Sequence, residues 1–223
     1  MPDREEQRDR GVVERVTVAT WVWGKKYGPE YLTRFLRGVN DNLSRPHDVC
    51  IFHPQEEDRA LTEVDGCFAR LRAFDPEWQA QSLTGRTLFL DLDLIITGAL
   101  DPLFDGPDPF RILQGVNSSN PCPYNGSVWR LDPGYRPDVW ADFSLEAAAL
   151  VPHDSFPDDQ AWFAHKLPGA AAYTDADGVY AFQKRCWPRG EALPKNAKLV
   201  AFPGWRDPVG FQHLDWVKAH WRA

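Results

Sequence analysis

The chain has 223 residues, 43% of them hydrophobic and 13% aromatic, which suits one domain with a packed core. A net charge of −7 leaves no basic face, which argues against nonspecific nucleic-acid binding though not against a local action on DNA. No apolar run approaches the roughly 18 residues that a membrane helix needs, so no membrane span is expected. The four cysteines, Cys50, Cys67, Cys122 and Cys186, form no C-x-x-C pair. A zinc knuckle is therefore disfavoured, and the thiols read as reduced in a cytoplasmic setting. Ten tryptophans suit both core packing and sugar stacking. Packing is the reading for Trp78, Trp129 and Trp205.

Residues 1–14 are charged and lack the apolar stretch of a signal peptide. A flexible tail is expected over 1–15, followed by one catalytic domain over 16–223. The β-branched run VTVATWVW predicts a buried strand over 16–23, ended by Gly24. Apolar residues at Tyr31, Leu32, Phe35, Leu36, Val39 and Leu43, behind Pro29, predict a helix over 29–43. A second strand is expected over 48–53 and a polar helix over 55–63. The alternation of CFARLRAF predicts a third strand over 67–74. Further strands are expected over 87–90, 94–97, 110–114, 127–131, 179–183 and 198–202. Helices are expected over 136–150, 158–166 and 214–221. Strands alternating with helices in the first half indicate an α/β chain with a parallel sheet.

The sharpest signal is GRTLFLDLDL over 85–94. Four apolar residues run into Asp91-Leu92-Asp93, and apolar residues resume at once. Strand alternation would put Asp91 and Asp93 on one face with their carboxylates close together. Two such anions beside an apolar strand repel each other and lose hydration. A shared divalent cation relieves both problems, and hard oxygen ligands suit Mg²⁺ or Mn²⁺ bound together with phosphate. The alternative for a bare D-x-D is a turn with two solvated acids. Lys25 and Lys26 read either as a solvated pair or as a phosphate contact. Lys184, Arg185 and Arg189 form a local cationic cluster suited to an anion. His153 and His165 flank 158–160 and read as surface or core histidines. Asp105 and Asp108 read as turn residues. No P-loop, dinucleotide-binding or serine-hydrolase motif occurs.

Taken in order, several segments carry a likeness. They are WVWGKKYGPEYL, LFLDLDLIITGALDPLF, YNGSVWRLDPG, DDQAWFA, LVAFPGWRDP and WVKAHW. The chain resembles bacterial glycosyltransferases of the GT-A, Rossmann-like nucleotide-diphospho-sugar transferase fold, nearest to the retaining glycogenin-like and galactosyltransferase-like group. The resemblance implies a single α/β domain with a mixed central sheet. It implies Asp91 and Asp93 as metal ligands and Asp159 and Gln160 facing the reacting sugar. It implies a donor-binding set of Thr20, Trp21, Lys25, Tyr27, Leu92, Asn125, Gly126, Ser127, Lys184, Gly204 and Arg206. The expected cofactor is Mn²⁺ or Mg²⁺, and the expected partner is a nucleotide-sugar, UDP-linked in the commonest case. The expected reaction is metal-assisted hexose transfer to an acceptor hydroxyl with retention. The acceptor is left open among a glycan, a small molecule and a modified nucleobase. The alternatives are a nucleotidyltransferase on the same two acids, or a nucleotide-sugar binder without catalysis.

Two departures from the resemblance stand out. Relatives often carry a histidine in an F-H-G turn as a third metal ligand, but here Pro203 stands between Phe202 and Gly204. His213 or Asp207 could substitute. Relatives also tend to have a lysine on the helix before the D-x-D strand, and 75–84 contains none.

Overall fold

A computed structural model describes residues 15–117 and 122–223. The expected tail lies outside the described residues except for Arg15, whose guanidinium donates to both oxygens of Asp48 at 2.6 Å. The first strand, β1 (Val16–Trp21), is buried along its whole length. It pairs in parallel with β2 (His47–Phe52) on one side and β3 (Thr87–Leu90) on the other. Between β1 and β2 runs α1 (Pro29–Asn42), with Pro29 in its first turn as expected. Its buried face carries Tyr31, Phe35, Gly38 and Val39. Gly38 lets the helix close onto β4 (Leu94–Ile96): a Cβ there would stand 3.2 Å from the end of the Ile96 side chain.

The main sheet is completed by β5 (Phe110–Gln114), β6 (Tyr124–Leu131) and β7 (Ala171–Tyr173), in the order β2-β1-β3-β6-β5-β7. Because β6 runs antiparallel to both β3 and β5, the sheet is mixed. A smaller sheet joins β4 to β8 (Val179–Ala181) and β9 (Leu199–Ala201), with β9 in the middle.

Alternation along the strands feeds two cores, one on each face of the main sheet. Val16, Val18, Leu88, Leu90 and Val128 point toward α1 and the small sheet. Ala19, Trp21, Phe89, Trp129 and Leu131 point the other way. There Trp129 stacks on Phe89 with centroids 3.9 Å apart, and Phe74, Phe110 and Phe163 surround it. The helices of that face include α2 (Arg59–Thr62), α3 (Pro76–Ser82), α4 (Asp138–Ala141), α5 (Leu145–Leu150) and α6 (Asp159–Lys166). The last helix, α7 (Asp215–His220), belongs to the opposite layer, where Val217 is buried.

Three expectations change. The segment read as a third strand, Phe68–Phe74, is a 3-10 helix. Phe68, Leu71 and Phe74 recur every three residues, which is the period of that helix, and six of its seven residues are buried. The helix expected over 136–150 is broken into α4 and α5, and Ser144 restarts the chain by accepting from Ala147 N at 3.0 Å. The helix α3, capped by Asp75, stands in the segment 75–84 that the resemblance sets before the D-x-D strand, whereas the short β7 is not foreseen in the sequence. Among the described residues no helix is long and apolar enough to cross a membrane, and no disulfide forms.

Candidate active site

The parallel strands β1 and β3 end side by side, which is where open α/β sheets bind ligands. Asp91 follows β3 directly. Its backbone N–H donates to Ser127 O at 3.0 Å, so the antiparallel pairing with β6 carries on for one more residue. Residues 91–93 then turn, rather than continuing as strand, before β4 begins at Leu94. Strand alternation is therefore not what brings the two acids together. A tight turn does, and Asp91 and Asp93 line one cleft of about 480 Å³.

Each acid is met by a cation of the chain. Asp91 Oδ1 accepts from Arg70 Nη1 at 2.7 Å. Asp93 Oδ2 accepts from Lys26 Nζ at 2.7 Å and from the Tyr27 hydroxyl at 2.8 Å. Burial pushes the Asp93 carboxyl up, Asp91 adds to the push, and Lys26 opposes it. For Lys26 burial works against the charge, but Asp93 outweighs it and the ammonium is held more firmly. The Tyr27 phenol is also driven up, by burial and then by Asp93, so it stays a donor.

Arg70 is the hub beneath the cleft, and the sequence reading passed over it. Its side chain is 7% exposed and pairs with the fully buried Asp159 at 2.6 Å between Nη2 and Oδ2. Nη1 also donates to Gly126 O at 2.8 Å. Burial disfavours the charge, but Asp159 and Asp91 more than restore it, so Arg70 stays cationic. Gly126 is there because nothing larger fits: a Cβ would lie 2.7 Å from Arg70 Nη2 and 3.1 Å from Asp159 Oδ2. Asp159 itself is raised to about 7, because burial outweighs the attraction of Arg70. Arg70 stands a few residues upstream of the lysine-free segment 75–84 and lines the cleft. Period-3 spacing around an arginine was the signal that could have found it.

The start of α6 closes the cleft. Asp158 caps the helix through Ala161 N at 2.7 Å, and its other oxygen accepts from Gln160 Nε2 at 2.7 Å. Gln160 Oε1 in turn accepts from Asn125 Nδ2 at 3.0 Å and Gly126 N at 3.2 Å. Asn125 Oδ1 takes Ser127 N at 3.1 Å. Gln160 is fixed by three residues, Asp158, Asn125 and Gly126, and still lines the cleft.

The structure therefore gathers Tyr27, Asp91, Asp93, Asn125, Gly126, Ser127, Asp159, Gln160 and Gly204 around one cleft. Trp21 and Leu92 line an adjoining pocket of about 210 Å³ that shares Lys26, Tyr27, Arg70 and Asp91 with it. Trp21 is held there by stacking on Trp78 at 5.4 Å. Four candidates fall elsewhere. Thr20 is buried inside β1 with its hydroxyl sealed from solvent. Lys25 is exposed and does not line the cleft, whereas its neighbour Lys26 does. Lys184 donates to Asn117 Oδ1 at 2.7 Å, on the wall of a neighbouring pocket. Arg206 lies against the exposed Trp205 ring at 5.1 Å. His153 and His165 line a separate pocket of about 360 Å³.

Pro203 lines the cleft with both acids and offers no side-chain ligand atom to a metal. The proposed substitutes do not replace it in the lining. Asp207 accepts from Tyr31 and Val209 N, and His213 sits 3.9 Å from Glu191. Among the described residues no group of three or more His, Cys, Asp or Glu gathers as a metal cage. What remains is two hard carboxylates, one of them buried and raised, with one oxygen of each used by Arg70 and by Lys26 and Tyr27. That set fits a divalent cation which brings its other ligands from phosphate and water.

No protein-family model and no curated protein matches the chain. Solved structures do. The galactosyltransferase LgtC, crystallised with donor and acceptor sugar analogues, superposes with a TM-score of 0.51 at 12% identity, over 87% of this chain and 89% of that one. The glycosyltransferase GlyE of Streptococcus pneumoniae gives 0.58 at 14% identity over 90% of this chain, which spans 61% of GlyE. A glycosyltransferase involved in glycosylating the major capsid of PBCV-1 gives 0.57 at 14%, over 90% of this chain and 98% of that one. The mixed-sheet α/β architecture expected from the sequence is the fold of these GT-A glycosyltransferases.

Proposed function

We propose that the chain is a glycosyltransferase that moves a hexose from a nucleotide-diphosphate sugar to an acceptor hydroxyl. The observation that carries this reading is the joining of an acid pair, a buried arginine and the Asn125–Gly126–Gln160 network in one cleft, at the end of parallel strands in this fold. The pocket of Trp21 and Leu92 suits the nucleoside, with UDP the expected donor base. Asp91 and Asp93 would hold Mn²⁺ or Mg²⁺, which when bound neutralises the departing diphosphate. Arg70 fixes Asp91 and adds positive charge to the same wall of the cleft. Both Asp159 and Gln160 line the cleft, and Gln160 is the group assigned to the sugar because the Asp159 carboxylate is 1% exposed and engaged by Arg70. In the transfer, the acceptor oxygen bonds to the anomeric carbon and the carbon–phosphate oxygen bond breaks. The leaving phosphate takes the acceptor proton, so no protein base is required. That route gives retention of configuration, with Gln160 beside the developing oxocarbenium ion.

Asp93→Asn tests the reading. With a UDP-hexose and Mn²⁺, donor turnover should fall by about a hundredfold or more while the circular dichroism spectrum is unchanged. Wild-type turnover should stop with EDTA and return with Mn²⁺. Full activity in Asp93→Asn, or turnover that resists EDTA, would remove the cation from the proposal. Pro203 supports one second reading, a donor-binding protein without catalysis. It predicts UDP-sugar binding with neither hydrolysis nor transfer to any acceptor.

A further inference from the structure

The two cations that neutralise the acid pair differ in freedom. Arg70 is held by three oxygens inside the protein, through hydrogen bonds to Asp91 and Gly126 and an ion pair with Asp159. Lys26 reaches Asp93 from the loop between β1 and α1, and its side chain is 53% exposed. Asp93, by contrast, is 11% exposed and cannot turn away to water. The ammonium is therefore the movable partner of an anion that always needs one. Asp91 and Asp207 add weaker attraction, which keeps Lys26 over the cleft.

We propose that Lys26 is a displaceable counter-ion that couples binding of the divalent cation to binding of the nucleoside diphosphate. This rests on the reading of Asp91 and Asp93 as the cation site. A divalent ion at Asp93 repels an ammonium that is bonded to the same carboxylate, so a cation arriving alone must evict Lys26 into water. A diphosphate arriving alone meets two carboxylates and finds Lys26 already engaged. When both arrive, the cation takes the acids and Lys26 exchanges Asp93 for a phosphate oxygen within the same cleft. Each ligand removes the obstacle to the other, and linkage requires the coupling to be mutual.

The test is Mn²⁺ titration, read by the electron paramagnetic resonance of the free ion, with and without UDP. Wild type should bind Mn²⁺ weakly alone and much more tightly with UDP. Lys26→Met should bind Mn²⁺ alone about tenfold more tightly, and the tightening by UDP should shrink by at least that factor. Lys25→Met removes the same charge from an exposed neighbour outside the cleft and should leave the UDP effect as in wild type. An unchanged UDP effect in Lys26→Met, with Mn²⁺ still bound by both proteins, overturns the inference and spares the cation site. A Lys25→Met that reproduces the whole change also overturns it, because net charge then suffices. If neither wild type nor Lys26→Met binds Mn²⁺ even with UDP, the cation site falls and takes the inference with it.

Discussion

Replacing Arg70 by methionine isolates the electrostatics under the cleft. The substitution keeps an unbranched chain of similar reach and removes the guanidinium from Asp91, Asp159 and Gly126 O. Asp91 is 30% exposed and can rehydrate, but Asp159 is 1% exposed and is left as a buried anion. Removing one partner of a buried pair costs about 3–5 kcal/mol where the other stays charged, which sets the ceiling here because Asp159 can take up a proton. For a chain of this length that is a fall of roughly 6–20 °C in Tm. The loss must also depend on pH. Unfolded, Asp159 titrates near 3.8, and folded it stands at about 7. A folded value above the unfolded one means that proton binding favours the folded state. That contribution is full at low pH and lost as pH rises through about 7. In Arg70→Met burial acts unopposed and raises the folded value further, so the carboxyl accepts a proton and the deficit shrinks on acidification. Urea unfolding of both proteins should show a deficit near pH 8 that exceeds the one near pH 5.5 by about 1 kcal/mol and that widens further above pH 8. Adding Asp159→Asn to Arg70→Met should recover much of the stability, since the stranded charge is gone. A deficit under about 1 kcal/mol at the higher pH, or one that does not vary with pH, refutes the argument.

Asp158→Ala removes the α6 cap and the anchor of Gln160 Nε2 together. It should cost about 1 kcal/mol of stability and about tenfold in kcat/KM. Ser144→Ala, which uncaps α5 away from the cleft, should match the stability loss with unchanged turnover; equal activity losses would show that Gln160 needs no orientation. Pro203→His places an imidazole on the cleft wall that already carries Asp91 and Asp93. Mn²⁺ affinity measured without donor should rise by about tenfold or more. An unchanged affinity would place the cation away from that wall.

Much of this architecture follows from local pattern. The buried runs of β1 and β3, the apolar stripe of α1 and the Asp158 cap of α6 are short-range properties of the chain, and they stand where their residues predict. The acid pair was legible for a related reason: two carboxylates set into an apolar run need a compensating charge wherever the chain puts them. The sequence period at 68–74 was read as two when its apolar residues repeat in threes, and alternation alone could not separate a buried strand from a buried 3-10 turn. The cationic cluster at Lys184 pointed to anion binding, yet Lys184 turns to Asn117 instead.

By itself the sequence determined the α/β class, the strands that end at the cleft and the identity of the two acids. Only the tertiary structure decided which cations meet them. Arg70 lies 21 residues from Asp91, and Lys26 lies 67 residues from Asp93. Their pairing depends on how a 3-10 helix and a surface loop pack against the end of β3, and no local preference encodes that distance. The physical reason is the range of the forces involved. Strand and helix choice is set by backbone sterics and by neighbours a few residues away, whereas a carboxylate in a dry cleft responds to whichever charge the fold brings within a few ångströms.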